Sequence, residues 1–478
     1  MRVPFSKYEY QLLITPVVLW IIFRFAGLDG TTGQDSYAYT TFAVSLQEWL
    51  HTGIKPNAFF WPPGYPLLAA LLSLGILPAS IILQFVSSIS LGVSLVYLKY
   101  LLTELNPDIK NDKSVFIYLV IWGMFAPYVF RNSLTNTSDM LAFCMVSGTL
   151  YHYFMYLKRS SFIDLIFATV FISYGIFTRY VTILVFFPFA IHMIWHWIKT
   201  SHSLKQTMVL LIPISILGLH LYLTDVHNGL VSHPFLTHWK LSHFYHSRFS
   251  TPEGQLDYLL PNILFVLYPV FHPGFCMPGI LFIINGILKF KKQKYQRFTL
   301  IGSYVLFGLF MAGNYVQSPR HLLGIYPIVL VLCFHGFYLF YKWFSPRAFS
   351  TYIMIGILIL QFLLCARALY PTIKRNRLEK IIATEINSFI ADQHHLLYSF
   401  DIDIALQYRQ PDLHIQSLYD SIIVTYIPQS LVLINEQAWS RQWQDKNPMI
   451  NVVNLKKNHQ LTKLKEYHGG WNLYRIEK

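Results

Sequence analysis

Long apolar runs alternate with short basic segments over the first three quarters of the chain. Runs of about 17–25 mostly apolar residues, the length that crosses a bilayer core, recur between Leu12 and Leu369. Short cytoplasmic loops are enriched in Lys and Arg, and the densest such cluster here is 289–297. Placing the basic loops inside requires about eleven spans, with the N-terminus inside and the C-terminus outside. The predicted spans are residues 10–28, 79–102, 114–131, 139–157, 162–178, 180–198, 207–224, 261–288, 298–314, 321–341 and 348–370.

Two helical segments early in the chain do not fit as spans. Residues 63–77 form a short apolar run bracketed by prolines, and counting it as a span would place the 289–297 cluster outside. Residues 37–51 are amphipathic and contain Trp49 near their end. Both patterns predict helices that lie in the outer membrane interface.

The pattern changes at about Pro371. Apolar runs shorten to strand length at 396–400, 422–427, 431–435 and 452–455, with helical patterns at 378–392 and 404–408 and a hairpin turn at 467–471. We therefore divide the chain into a transmembrane domain, residues 1–370, and a small extramembrane α/β domain, residues 371–478.

Composition agrees with a polytopic α-helical membrane protein. Of the 478 residues, 54% are hydrophobic and only 13% are charged, against about 25% in soluble proteins. The net charge of +14 could indicate nucleic-acid binding, but the bases lie in loops between apolar runs, which is typical of membrane topology. The four cysteines lie in or beside apolar segments without metal-ligand spacing, so we expect structural thiols. The first run has no cleavage site after it and is expected to remain as an anchor.

The most informative residue is Asp35, a carboxylate at a membrane surface in a chain that otherwise avoids charge. It could act as a general base that takes a proton from an acceptor hydroxyl. It could also be the N-cap of the helix over 37–51. The two roles are compatible, because a cap holds the carboxylate at a fixed angle.

A second carboxylate, Asp139, ends a polar stretch and opens an apolar helix. A capping role for Ser138 or Asp139 is one interpretation. The other is a carboxylate that faces Asp35 and binds the acceptor or a divalent cation, since hard cations prefer oxygen ligands.

Several cations are predicted on the outer side, where the positive-inside rule allows few. Arg320 and Arg179 could extend to lipid headgroups, or could bind a phosphate with their forked guanidinium groups. The loop 225–260 carries five histidines with Lys240 and Arg248. Its spacing matches no standard zinc pattern, so we expect a loop that covers a lipid-phosphate substrate. In the tail, Asp403 of an Asp-Ile-Asp sequence is expected to be a helix cap.

These motifs together resemble the GT-C class of membrane glycosyltransferases, above all the superfamily of protein O-mannosyltransferases and aminoarabinose transferases with its bacterial relatives. The resemblance covers about residues 1–370. It rests on Asp35 followed by Tyr39, on the Trp-Pro-Pro-Gly-Tyr-Pro sequence at 61–66, on Asp139, and on the sequence at 320–327 that opens a late span. In place of the family's frequent Asp-Glu pair this chain has Ser36, and in place of the lysine before Pro-Pro in aminoarabinose transferases it has Trp61.

The resemblance implies an inverting transfer of a sugar from a polyprenyl-phosphate donor to a hydroxyl acceptor, a lipid, glycan or protein. It implies that Asp35 is catalytic and that Asp139 and Tyr39 bind the acceptor or, for the two carboxylates, a divalent cation. The residues that it implies for the donor phosphate are Arg320, Arg179, His321, Lys240 and Arg248. The expected location is the bacterial inner membrane, with the site and the C-terminus facing the periplasm.

Two other functions use the same substrates. A transporter or flippase of lipid-linked sugars would show repeats and polar or broken helices at the membrane midplane, whereas the candidate residues here gather at one face. An enzyme that polymerises or ligates glycan chains would have large basic outer loops without the early Asp35.

Overall fold

The protein is described here from a computed structural model, which describes residues 6–57, 59–73, 76–107, 109, 113–199, 208–209, 211–224, 237–251, 254–290, 293–347, 349–389 and 396–477. The helices of the first part of the chain are α1 (Lys7–Phe25), α2 (Gly33–Thr52), α3 (Gly64–Ser73), α4 (Ala79–Leu105), α5 (Lys113–Tyr118), α6 (Pro127–Ser133), α7 (Asp139–Arg159), α8 (Phe162–Thr178), α9 (Thr182–Lys199), α10 (Leu211–Leu223), α11 (Asn262–Phe265), α12 (Tyr268–Phe271), α13 (Gly279–Lys289), α14 (Lys294–Ala312), α15 (Tyr326–Phe344) and α16 (Ser350–Ile386).

The helical membrane architecture is confirmed, but the predicted number of spans is not. Within the described residues, six helices are long and apolar enough to cross a membrane: α1, α4, α7, α9, α15 and α16. Four other apolar helices, α3, α8, α10 and α13, are shorter than that. The predicted span over 261–288 is interrupted, because α11, α12 and α13 are separate helices with Pro273 and Pro278 between the last two.

A seventh crossing arises only if a bent segment is counted as one span. Lys113–Met124 and Pro127–Ser133 meet at 72°. A π-helical stretch, Leu119–Met124, precedes the bend, and Pro127 cannot donate a backbone hydrogen bond to the preceding turn. After this bend, α6 leads into the polar stretch that precedes α7.

The helices pack around α7, which lies against α4 and α8 and is buried along almost its whole length. Close packing of α1 on α4 depends on Gly92, because a Cβ there would lie 2.6 Å from the Leu13 carbonyl oxygen. By contrast, α16 exposes apolar side chains such as Ile355, Ile359 and Phe362. A soluble surface would not carry such a row, whereas lipid tails solvate it.

The two predicted interfacial segments are the helices α2 and α3, which pack against each other. Tyr39 and Ala43 of α2 belong to the main helical core, whereas Phe42 and Leu46 pack against a smaller cluster with α3 and α10. Both predicted helices are therefore confirmed as helices. α2 packs against the main helical core on one side and against α3 and α10 on another.

The tail contains a five-stranded sheet and three helices. The strands are β3 (Leu397–Ser399), β4 (Ile415–Ser417), β5 (Leu431–Ile434), β6 (Leu461–Tyr467) and β7 (Trp471–Ile476), in the order β4-β3-β5-β7-β6. A separate two-stranded hairpin before α11 consists of β1 (Arg248–Thr251) and β2 (Gly254–Asp257). The first three tail strands are parallel and the last two antiparallel. The tail helices are α17 (Asp403–Arg409), α18 (Glu436–Gln442) and α19 (Asn447–Asn458).

In the tail, the predicted strands at 396–400 and 431–435, the predicted helix at 404–408 and the predicted turn at 467–471 are confirmed. The predictions of two other strands are wrong. Residues 452–455 lie in α19, which has Pro448 in its first turn and buries Val452 and Leu455, three residues apart. Residues 422–427 form no strand. An apolar run this short does not distinguish strand from helix.

A single helix crosses the predicted domain boundary. α16 runs without interruption from Ser350 to Ile386, through Pro371. Its first part exposes apolar residues and its last part packs into the tail core with Ile382, Ala383 and Ile386. The division at 370 stays a prediction, and the two parts share this helix as a rigid connection.

Candidate functional site

Asp35 lies in the first turn of α2 and forms an ion pair with Arg320. Thr32 occupies the N-cap position, so the capping role considered for Asp35 is not the one it has. Arg320 lies in a 3₁₀ turn, Pro319–Gly324, directly before α15. The side chains of Asp35 and Arg320 are 24% and 27% exposed, so both are partly open to solvent.

One helical turn after Asp35, Tyr39 points from the same side of α2 toward the start of α7. Its hydroxyl lies 3.1 Å from the Ser138 Oγ. Ser138 is the N-cap of α7 and Asp139 is the first residue of that helix, although the Ser138 side chain makes no capping hydrogen bond. The Tyr39 contact therefore joins the Asp35 helix to the residue beside Asp139.

Asp139 forms an ion pair with Arg179, which follows the end of α8. Here the carboxylate is only 1% exposed and the guanidinium 15%. A pair this buried is less accessible to substrate than Asp35 and Arg320, and its charges neutralise each other. Four of the predicted site residues thus form two arginine–carboxylate pairs at one end of the helix bundle.

The polar stretch before α7 is held by backbone contacts. The Asn136 amide donates to the Gly30 carbonyl oxygen at 2.9 Å, and Gln84 donates to the Leu134 carbonyl oxygen at 2.8 Å. Gly30 has a φ of +80°, and a Cβ there would collide with the Asn136 side chain. The loop from α1 to α2 and the loop before α7 are therefore packed as one layer under the Asp35 helix.

The other predicted phosphate-binding residues lie around this layer rather than in it. His321 is buried in the Arg320 turn. Lys240 is exposed, and its backbone amide donates to the Gly313 carbonyl oxygen at 3.0 Å, which attaches the segment before β1 to the end of α14. Arg248 is 83% exposed and pairs with Asp257 across the β1–β2 hairpin at 3.2 Å.

No metal centre emerges from the described part of the chain, which holds no group of three or more His, Cys, Asp or Glu side chains that could bind an ion. Two histidines of the segment 225–260, His227 and His233, lie outside the described residues. Because Asp35 and Asp139 each have an arginine partner, a cation between them would compete with two guanidinium groups. The divalent cation stays a prediction.

Sequence reasoning missed a polar network beside the site, centred on Asp29 and Arg409. Burial alone would raise the pKa of Asp29, but Arg409, a hydrogen bond from Thr31, and Lys380 together lower it to about 2. Nothing in the local sequence indicates this cluster, because Asp29 and Arg409 are 380 residues apart.

The protein thus combines apolar helices with two arginine–carboxylate pairs at one end of them and an α/β tail. No protein-family model matches the sequence, and no curated protein matches it. The solved structures with a similar architecture include those of one protein in two states. ArnT from Cupriavidus metallidurans in the apo state has a TM-score of 0.57 and 12% identity, covering 96% of this chain and 97% of that one.

The same ArnT, an aminoarabinose transferase, bound to undecaprenyl phosphate has a TM-score of 0.56 and 12% identity, covering 97% of this chain and 98% of that one. The likeness extends over both the helical part and the tail. The chain therefore has the fold of the GT-C class of membrane glycosyltransferases, as the sequence motifs predicted, and is an integral membrane protein.

Proposed function

We propose that this protein is a GT-C glycosyltransferase that moves a sugar from a polyprenyl-phosphate donor to a hydroxyl group of a lipid, glycan or protein. The observation that carries the proposal is the pairing of Asp35 with Arg320, 285 residues apart, on a partly exposed surface of this fold. A base and a phosphate-binding cation are the two groups that such a transfer needs. The proposed location is the bacterial inner membrane, with the site facing the periplasm.

The proposed reaction is a single displacement with inversion. The acceptor oxygen attacks the anomeric carbon while the bond from that carbon to the phosphate oxygen breaks. Asp35 takes the proton of the acceptor hydroxyl, and the lipid phosphate leaves with the bonding electrons. One carboxylate is sufficient for this chemistry.

Arg320 is proposed to bind the leaving phosphate. A guanidinium stabilises the charge that develops on the phosphate oxygens, and it does so best where water is partly excluded. The donor phosphate would compete with Asp35 for the same guanidinium, which would release the carboxylate to act as a base. The ArnT structure with undecaprenyl phosphate supports a lipid phosphate as the donor group.

We propose that three further residues support the Asp35–Arg320 pair indirectly: Asp139, Arg179 and Tyr39. The Asp139–Arg179 ion pair fixes the start of α7, and Ser138 at that position contacts the Tyr39 hydroxyl. The alternative is a direct role of Asp139 or Tyr39 in acceptor or metal binding, and of Arg179 in phosphate binding. His321, Lys240 and Arg248 remain proposed contacts of the donor phosphate or of its approach.

The proposal is tested by replacing Asp35 with asparagine in a strain that lacks the chromosomal gene. Mass spectrometry of the envelope glycans and glycoproteins identifies the sugar that is lost on deletion and restored by the wild-type gene. We expect Asp35→Asn to express and fold normally but to restore no modification, because an amide cannot accept the proton.

The matched control is Asp412→Asn, which changes an exposed aspartate of the tail and should restore the modification fully. Full restoration by Asp35→Asn would remove the proposed mechanism. An unchanged glycan profile in the deletion strain would remove the proposed function.

A further inference from the structure

Tyr37 lies two residues after Asp35 and belongs to the core of the tail rather than to that of the helical part. Its ring packs against Tyr408 with centroids 5.3 Å apart, and the Arg409 guanidinium lies 5.6 Å from the ring centroid. Tyr39, in the same helix, belongs to the helical core. The first two turns of α2 therefore stand between the two parts of the protein.

The Tyr37 hydroxyl makes two hydrogen bonds to charged tail residues. It donates to Glu379 at 2.5 Å and accepts from Arg409 at 2.9 Å. Glu379 has a fully buried side chain and is also bonded by Arg375 at 2.5 Å. Hydrogen bonds to charged groups are among the stronger ones in proteins, so this tyrosine is firmly held.

The loop that leads into α2 is held by the same tail residues. Arg409 bonds the Thr31 Oγ1 at 2.9 Å and Asp29 at 3.2 Å. Asn376 donates to Asp29 at 2.6 Å and to the Thr31 carbonyl oxygen at 2.8 Å. Contacts from the tail therefore lie on both sides of Asp35 in the sequence, at residues 29–31 and at residue 37.

Within its own helix, the start of α2 is held by a single side chain. The N-cap residue Thr32 makes no side-chain capping hydrogen bond, whereas the Ser36 hydroxyl accepts from the Thr32 amide and donates to the carbonyl oxygens of Thr32 and Gly33. The first turn of a helix lacks partners for its amide groups and is where helices fray. An external support would therefore decide the position of a first-turn carboxylate.

We propose that the tail positions the catalytic carboxylate, with Tyr37, Arg409 and Glu379 as positioning residues that hold the first turn of α2 so that Asp35 faces Arg320. This proposal rests on the proposed function. It gives the α/β tail a role in the chemical step, beyond any role in binding an acceptor.

The experiment compares Tyr37→Phe, Arg409→Gln and Arg409→Lys in the purified full-length protein. Transfer is measured with the donor and acceptor identified from the deletion strain. We expect Tyr37→Phe, which keeps the ring, to lower kcat about tenfold or more while KM for the donor changes less than about twofold, because misplacing a reacting group costs rate rather than binding. Arg409→Lys should recover part of the rate that Arg409→Gln loses, because it keeps the charge but not the fork.

A second measurement does not depend on activity. Hydrogen exchange of the amides at residues 33–40 should speed up about tenfold in Tyr37→Phe, because the first turn of α2 loses its support. The control is Lys456→Gln, which removes a tail ion pair with Glu436 on the exposed face and should leave both kcat and exchange unchanged.

The outcomes separate this proposal from the proposed function. Wild-type kcat and exchange in Tyr37→Phe, beside an inactive Asp35→Asn, would overturn the positioning role alone. A loss of activity that matches the loss of folded protein, with normal kcat per folded molecule, would overturn it as well. An active Asp35→Asn would overturn the proposed function and the catalytic purpose of positioning, whatever the exchange at residues 33–40.

Discussion

The hydroxyl groups of Tyr39 and Ser138 lie 3.1 Å apart and join the helix that carries Asp35 to the helix that begins at Asp139. Through this contact, two carboxylates from distant parts of the sequence become parts of one layer. The partly exposed one faces Arg320, and the buried one is neutralised by Arg179.

Removing one partner of the buried pair should destabilise the protein far more than removing both. Asp139→Asn leaves Arg179 buried without its carboxylate, at a cost of about 3–5 kcal/mol, whereas Asp139→Leu with Arg179→Met should recover most of the loss. Thermal unfolding in detergent measures this.

Transfer activity of the double variant then decides the role of the pair. We expect it to stay within about tenfold of the wild type, as a supporting role predicts. A folded but inactive double variant would instead place Asp139 or Arg179 in contact with substrate.

Replacing Arg320 should weaken use of the donor. We expect Arg320→Gln to lower kcat/KM for the donor by about 10²–10³, the usual loss when a group that stabilises developing charge is removed. The kcat/KM of Arg320→Lys should fall between those of the wild type and Arg320→Gln, because lysine keeps the charge without the bidentate geometry. Steady-state kinetics with varied donor provides the measurement.

A suitable control is Arg347→Gln, at the opposite end of α15, where the guanidinium lies 3.5 Å from the Trp343 ring centroid. It should leave kcat/KM unchanged. Wild-type kcat/KM in Arg320→Gln would rule out its proposed role with the donor phosphate.

The close packing of Gly30 on Asn136 predicts a difference between two glycine substitutions. Gly27 and Gly30 both have positive φ, +94° and +80°, so alanine at either should cost about 1–2 kcal/mol of backbone strain. Only Gly30→Ala also collides with Asn136, which should add about 1–3 kcal/mol. Equal unfolding temperatures for the two variants would show that the two loops are not packed in this way.

The stabilising effect of Asp29 should depend on pH. Its pKa is lowered from 3.8 to about 2 in the folded protein, so the group stabilises the fold above pH 3.8 and loses this contribution as the pH falls through 2. The shift corresponds to about 2 kcal/mol, so Asp29→Asn should be less stable than the wild type by about that amount at pH 6.

The difference in stability between the two proteins should narrow as the pH falls from about 4 toward 2. Unfolding of both proteins in detergent across this range tests the expectation. A difference that stays constant with pH would mean that Asp29 is not ionised in the network.

Local signals in the sequence sufficed for much of the fold. Apolar length indicated a helical membrane protein and located the six described helices that are long enough to cross a bilayer, but not the predicted count of about eleven spans. The prolines around residues 64–77 marked that helix as too short to span. The apolar pattern did not give the correct element where the length of the apolar run fitted more than one type of structure. Residues 452–455 were assigned to a strand instead of α19, and the 261–288 run was assigned to one span instead of three helices.

For the site, the sequence singled out Asp35, Asp139, Arg179 and Arg320 individually, because charge at a membrane surface is costly and therefore conspicuous. It did not indicate which arginine pairs with which carboxylate. It also gave no sign that Tyr37 is hydrogen-bonded to Glu379 and Arg409. These residues stand in no recognisable sequence motif, and they meet only because the tail packs against α2.

The sequence by itself determined that this is a helical membrane protein with acidic and basic groups gathered toward one end and an α/β tail, because hydrophobic length and charge asymmetry act over short stretches of chain. Only the tertiary structure decided that Asp35 meets Arg320 and that Tyr37, two residues after Asp35, is bonded by Glu379 and Arg409 of the tail. Ion pairs and hydrogen bonds act over a few ångströms, so they depend on packing between segments hundreds of residues apart.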